Sequence, residues 1–71
     1  MSWNHRVIRR KFPNGEVLWA IHEVYYDDDG KPNACTENPI PIREYSVKDI
    51  GKTLKRIRRA LKKPVLKYED F

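Results

Sequence analysis

The sequence predicts an α+β fold: a three-stranded antiparallel meander with one C-terminal amphipathic helix laid on one of its faces, in the order β-β-β-α. Three features carry this reading. Two strand-like runs flank Pro13-Asn14-Gly15, a second turn signal follows at Asp27-Asp28-Asp29-Gly30-Lys31-Pro32, and apolar residues recur at helical spacing from Val47 to Leu61. The chain is expected to form one domain over residues 1–71, with strands at about 3–12, 16–26 and 33–38, a helix at about 46–63 and a tail at 64–71.

The run from Trp3 to Phe12 places Arg6, Ile8, Arg10 and Phe12 on one alternating face, the periodicity of a strand. Pro13-Asn14-Gly15 then predicts a hairpin, because Pro fixes φ for the first corner, Asn tolerates the second and Gly takes the left-handed corner that restores register. From Glu16 to Tyr26 both faces are apolar. Val17, Trp19, Ile21 and Tyr25 lie on one, and Leu18, Ala20, His22, Val24 and Tyr26 on the other, which is expected of a central strand. A short third strand follows at the edge, ended by Pro39 and Pro41, which cannot donate to a ladder. Pro39-Ile40-Pro41-Ile42 reads as an extended connector closing one end of the core.

Ser46 is a predicted N-cap with Asp49 three residues on, a capping box with Asp in place of Glu, and Tyr45 with Ile50 has the spacing of a hydrophobic staple. Val47, Ile50, Leu54, Ile57 and Leu61 draw one apolar stripe, expected to lie against the sheet. Lys48, Lys52, Lys55, Arg56, Arg59, Lys62 and Lys63 fall opposite that stripe, within roughly a third of the circumference. Pro64 stops the helix, and Val65, Leu66, Tyr68 and Phe71 are expected to fold back over apolar surface.

A chain of 71 residues has a thin core, yet 39% hydrophobic content with eight aromatics places it among folded globules rather than disordered tails. One cysteine, Cys35, forms no internal disulfide, so a reducing cytoplasm is expected. No window approaches the length of apolar sequence a membrane span needs, and the first six residues lead into charge rather than into a leader-like apolar run.

The net charge of +5 is unevenly spread. Residues 1–12 carry four cations and no acid, residues 13–45 carry seven acids against Lys31 and Arg43, and residues 46–63 carry eight cations against Asp49. A cationic helix face of this density suits nucleic-acid phosphates, since each neutralised phosphate releases counterions. The candidate phosphate contacts are Lys48, Lys52, Lys55, Arg56, Arg59, Lys62 and Lys63, joined by Arg9 and Arg10 (with Arg6 and Lys11 beside them) if the first strand runs alongside the helix. Trp3 and Tyr45 are candidate stacking residues. The competing reading is a solvated face offset by the acidic middle, within the chain or across a homodimer.

Other constellations carry less. An EF-hand reading of Asp27-Asp28-Asp29-Gly30 lacks alternating acids and puts Asn38 where a bidentate Glu belongs, so turn chemistry accounts for the run. His5, His22 and Cys35 have no metal-ligand spacing, Cys35 with His22 has no oxyanion site to serve, and Glu23 facing Glu37 is ordinary for adjacent strands. No catalytic residue, metal, cofactor or small-molecule substrate is expected. A binding module is favoured over an enzyme, with nucleic acid or a protein partner as its ligand.

Arg6-Val7-Ile8-Arg9-Arg10, Ile21-His22-Glu23-Val24-Tyr25-Tyr26-Asp27, Asp29-Gly30-Lys31-Pro32, Thr36-Glu37-Asn38-Pro39 and Lys63-Pro64-Val65-Leu66 together resemble a family of short uncharacterised bacterial proteins. That family has no assigned activity, so the resemblance implies a fold and no site. In topology alone the β-β-β-α order is similar to HicB-type antitoxins, which implies a toxin-like protein partner, and to the later part of double-stranded-RNA-binding domains, which implies phosphate contact.

Overall fold

In the computed structural model, which describes residues 2–71, a four-stranded mixed sheet is built from β1 (Ser2–Lys11), β2 (Val17–Tyr26), β3 (Pro32–Cys35) and β4 (Leu66–Lys67), in the spatial order β3-β2-β1-β4. Met1 lies outside the described residues. One helix, α1 (Val47–Arg58), continues into a 3-10 turn at Arg59–Lys62, and a second 3-10 turn spans Tyr68–Asp70. No helix is long and apolar enough to cross a membrane.

Both hairpins form as their turn residues dictate. Gly15 and Gly30 take positive φ, 92° and 79°, the left-handed corner that a Cβ would penalise. Asn14 Oδ1 accepts from Glu16 N at 2.9 Å, and Asp27 Oδ1 accepts from both Asp29 N and Lys31 N at 2.9 Å. The aspartate run is thus engaged with its own backbone. β1 and β2 pair without a break from Ser2 opposite Tyr26 to Lys11 opposite Val17, and β3 pairs along the other side of β2, so β2 is interior as its two-sided apolar pattern requires. β3 is four residues long, and Thr36 N and Ile40 N continue the edge by donating to Glu23 O and Ile21 O at 3.0 Å.

The meander is extended by a strand absent from the expected β-β-β-α order. Leu66 and Lys67 pair in parallel with Ile8 and Arg9 at the outer edge of β1. Two residues carry no local periodicity, so only the long-range register defines this strand. It covers an edge that would otherwise expose unpaired backbone groups, and Glu69 extends the cover by accepting from Lys11 N at 3.3 Å.

Alternation along β1 and β2 gives the sheet two differently covered faces. Arg6, Ile8, Val24 and His22 lie on one, under the returning tail, where Tyr68 stacks obliquely on His22 with ring centroids 6.1 Å apart. Trp3, His5, Val7 and Glu23 lie on the other, on the side of α1. The chain therefore wraps the β1 edge, from the helix on one face to the tail on the other.

The helix docks differently from the expected arrangement. The face turned to the sheet runs through Ile50, Thr53, Ile57 and Ala60, of which Ala60 alone is fully buried and the other three are half-buried. Val47, Leu54 and Leu61 of the apolar stripe are 85%, 47% and 71% exposed. On a helical wheel the docked direction is rolled about 60° from the centre of the stripe. The physical reason is steric: the small Ala60 side chain allows close approach to β1, which Leu54 or Leu61 would hold off. The staple does not form either, since Tyr45 is fully exposed. The cap does: Ser46 Oγ accepts from Asp49 N at 3.1 Å.

Candidate nucleic-acid interface

Burial separates the cations of β1 from those of α1. Arg6 belongs to the interior. Its Nη1 donates to Tyr26 Oη at 2.8 Å and its Nη2 to the Pro64 carbonyl at 2.7 Å, while Tyr26 Oη donates to Asn4 Oδ1 at 2.7 Å. Only its Nε lacks a partner. A charged hydrogen bond to a main-chain carbonyl at the helix exit makes Arg6 a structural clamp.

Arg9 and Arg10 do not join the helix face as one patch. Arg9 sits over the Trp19 ring at 5.9 Å, towards the far end of the strand. Arg10 is on the opposite face of the sheet, over Phe12 at 4.8 Å and Tyr68 at 4.0 Å, and donates to the Glu37 carbonyl at 3.3 Å. Both guanidinium groups are engaged with aromatic faces, the geometry in which arginine contributes to packing as well as charge. Tyr45 lines a separate hollow with Arg43 and Glu44 and is not among the residues of the cationic cleft.

Three of the helix cations converge on the strand. Arg56, Arg59 and Lys63 line a shallow cleft of about 380 Å³ together with Trp3, Asn4 and His5. The helix register explains the grouping. Arg56, Arg59 and Lys63 follow one another along the flank next to the docked face, at the C-terminal end of α1 and just beyond it. Lys52 shares that flank about two turns nearer the N-terminus, and Lys48, Lys55 and Lys62 continue round the exposed side, all of them solvated. The carbonyl end of α1 is itself the negative end of the helix dipole, so any attraction for an anion here comes from the side-chain charges.

Across the cleft stands Trp3, about half exposed, its ring edge-on to His5 at 5.4 Å and 84°. His5 is buried with Nδ1 lacking a hydrogen-bond partner. Burial lowers its pKa; Glu23 opposes that shift and Arg56 adds to it. A neutral imidazole buttressing the indole follows at neutral pH. One acidic rim bounds the site: Glu23 and Glu44 line an adjoining hollow of about 250 Å³ with Trp3, His5 and Arg56, and Glu44 is held by Thr53 Oγ1 at 3.1 Å.

The remaining reactive side chains are placed apart. His22 is buried with Nδ1 at 3.0 Å from the Thr36 carbonyl and 3.2 Å from its hydroxyl. Cys35 lies on β3 with its thiol pKa raised by burial, against a smaller lowering by Arg10. Glu23 points to the helix side, whereas Glu37 meets Arg10 through its carbonyl on the other. Among the described residues no three His, Cys, Asp or Glu side chains are grouped to hold a metal ion.

The sequence singled out Arg56, Arg59, Lys63 and Trp3 but not their convergence, which depends on the roll of the helix. It did not single out Asn4. Comparison with protein-family models, curated proteins and solved structures finds no match, so the functional reading rests on this geometry.

Proposed function

We propose that this chain is a small binding module that grips the sugar-phosphate backbone of single-stranded nucleic acid in the cleft between β1 and α1. The observation that carries the reading is the convergence of Arg56, Arg59 and Lys63 on a half-exposed Trp3. Cations aligned with an aromatic platform are what a single strand requires: phosphates follow the charges while an unstacked base lies on the indole. Lys52, Lys48, Lys55 and Lys62 extend the electrostatic field round the helix without supplying base-edge contacts. Binding is accordingly indifferent to sequence. Trp3 favours single strands over duplex, in which bases are already stacked.

Fluorescence anisotropy with labelled mixed-sequence RNA and DNA, single-stranded and duplex, tests the reading at low salt. Single strands are expected to bind more tightly than duplex, and Trp3→Ala to weaken that binding about tenfold, the lower range for loss of one stacked base. An absent shift at micromolar protein, or binding that salt leaves unchanged, contradicts it.

A further inference from the structure

The roll of α1 that builds the cationic cleft on one flank leaves an apolar ridge on the other. Val47, Leu54 and Leu61 recur every seven residues, so they fall along one line of the helix, and all three are exposed. The burial deficit is general. The accessible surface of 5738 Å² exceeds by about 1,000 Å² the roughly 4,700 Å² of a compact monomer of 8.5 kDa. The radius of gyration of 13.0 Å is likewise larger than the about 11 Å expected for 71 residues. A surplus of that size is close to the about 800 Å² that each partner contributes to a standard interface.

Charge decides what fits the ridge. On its outward side the next residues round the helix are Arg58, Lys62 and Lys55, all exposed, whereas Asp49, the one acid of α1, lies half-buried on the sheet-facing side. A second copy docking ridge to ridge in antiparallel about a two-fold axis would set these cations against their equivalents, which opposes association. A parallel copy would set each cationic flank against the Ile50 and Ile57 side of its partner, which offers no row of acids. A flat membrane is a poor match to a seam one residue wide, because interfacial helices bury a broad apolar face. An amphipathic helix with a leucine seam and flanking carboxylates satisfies both the shape and the charge.

We infer that the Val47-Leu54-Leu61 ridge, with Arg58, Lys62 and Lys55 beside it, is a docking site for an acidic amphipathic helix of a protein partner. This surface is separate from the Trp3, Arg56, Arg59 and Lys63 cleft, and the two are tested independently.

The probe is a designed 21-residue helical peptide with Leu at heptad seam positions and Glu at the flanking ones, set against the same peptide with Lys flanks. Titrated into the full chain, the Glu peptide is expected to bind saturably in the micromolar range and the Lys peptide to fail. Leu54→Asn and Leu61→Asn are each expected to weaken binding about tenfold or more, from the lost apolar burial, and Arg58→Glu to weaken it further. These side chains are exposed, so the variants keep the fold, which circular dichroism verifies. Arg56→Gln with Arg59→Gln leaves peptide affinity unchanged within about twofold, because rim charges distant from a seam contribute little. The inference is overturned if the Glu peptide does not bind at about 100 μM, or binds the Asn variants as tightly as the parent chain. It is equally overturned if sedimentation finds a dimer that Leu61→Asn dissolves, or if vesicles rich in phosphatidylserine engage the ridge in place of the peptide.

Discussion

The Arg6 guanidinium reaches the Pro64 carbonyl at 2.7 Å, tying the first strand to the segment that leaves the helix 58 residues later. The same guanidinium holds Tyr26, which holds Asn4, so one charge fixes the sheet, the helix exit and the start of β1 together. Lys63, a wall of the cleft, immediately precedes that carbonyl.

Replacing Arg6 by Met removes both bonds, which are charge-assisted and partly shielded from water. Unfolding in urea is expected to show a loss of about 2–3 kcal/mol. Arg6→Lys restores only part of it, since an ammonium cannot serve two diverging acceptors as a planar fork does. An Arg6→Met protein as stable as the parent would show the clamp to be idle.

His5 gives the fold a defined response to acid. Its folded pKa lies below the ordinary 6.5, with burial as the main cause. The unfolded chain therefore takes up the proton first. Stability is full above about pH 6.5, falls as pH drops towards the depressed folded value, and levels off below it. Denaturant midpoints recorded across this window should decline in the parent and lose that component of the slope in His5→Gln, while a slope that His5→Gln leaves intact would assign it to other groups.

Removing the Ser46 cap is expected to cost about 1 kcal/mol. Because the fully buried anchor of the helical segment, Ala60, lies in the 3-10 turn beyond α1, far from the cap, the cost should appear locally. Amides of Asp49 to Thr53 are expected to exchange with solvent faster in Ser46→Ala, with those of β1 and β2 little changed. Uniform loss of protection across helix and sheet would instead mean that the two unfold as one unit.

Those features that depend on adjacent residues were legible in the sequence. Pro13-Asn14-Gly15 and Asp27 to Lys31 specify their turns through φ and side-chain acceptors, and Ser46 caps α1 as its position implies. The two-sided apolar run of β2 correctly placed it inside the sheet. The features that escaped are those decided by tertiary contact. Periodicity sets Arg6 on the face of Ile8 and Phe12 while its charge argues for a surface, and only the partners at Tyr26 and Pro64 allow its burial. β4 exists only through its register with Ile8 and Arg9.

The orientation of α1 shows the same limit most plainly. A stripe from Val47 to Leu61 identifies an apolar side of the helix, but Ala60 sets which edge of that side meets β1. The cleft inherits this choice. Had the stripe been centred on the sheet, Arg56 and Lys63 would have turned away from Trp3, and the candidate interface would have been a diffuse band of cations.

The most direct measurement is the dependence of single-strand affinity on salt for three proteins: the parent chain, Arg56→Gln/Arg59→Gln/Lys63→Gln, and a variant of equal net charge, Lys31→Gln/Arg43→Gln/Lys67→Gln. Loss of three phosphate contacts is expected to reduce the slope of log K against log salt by about 2 in the cleft variant, whereas the charge-matched variant retains nearly the parent slope. Equal slopes for the two variants would mean that net charge alone attracts the strand, and that Trp3 and its three cations form no site.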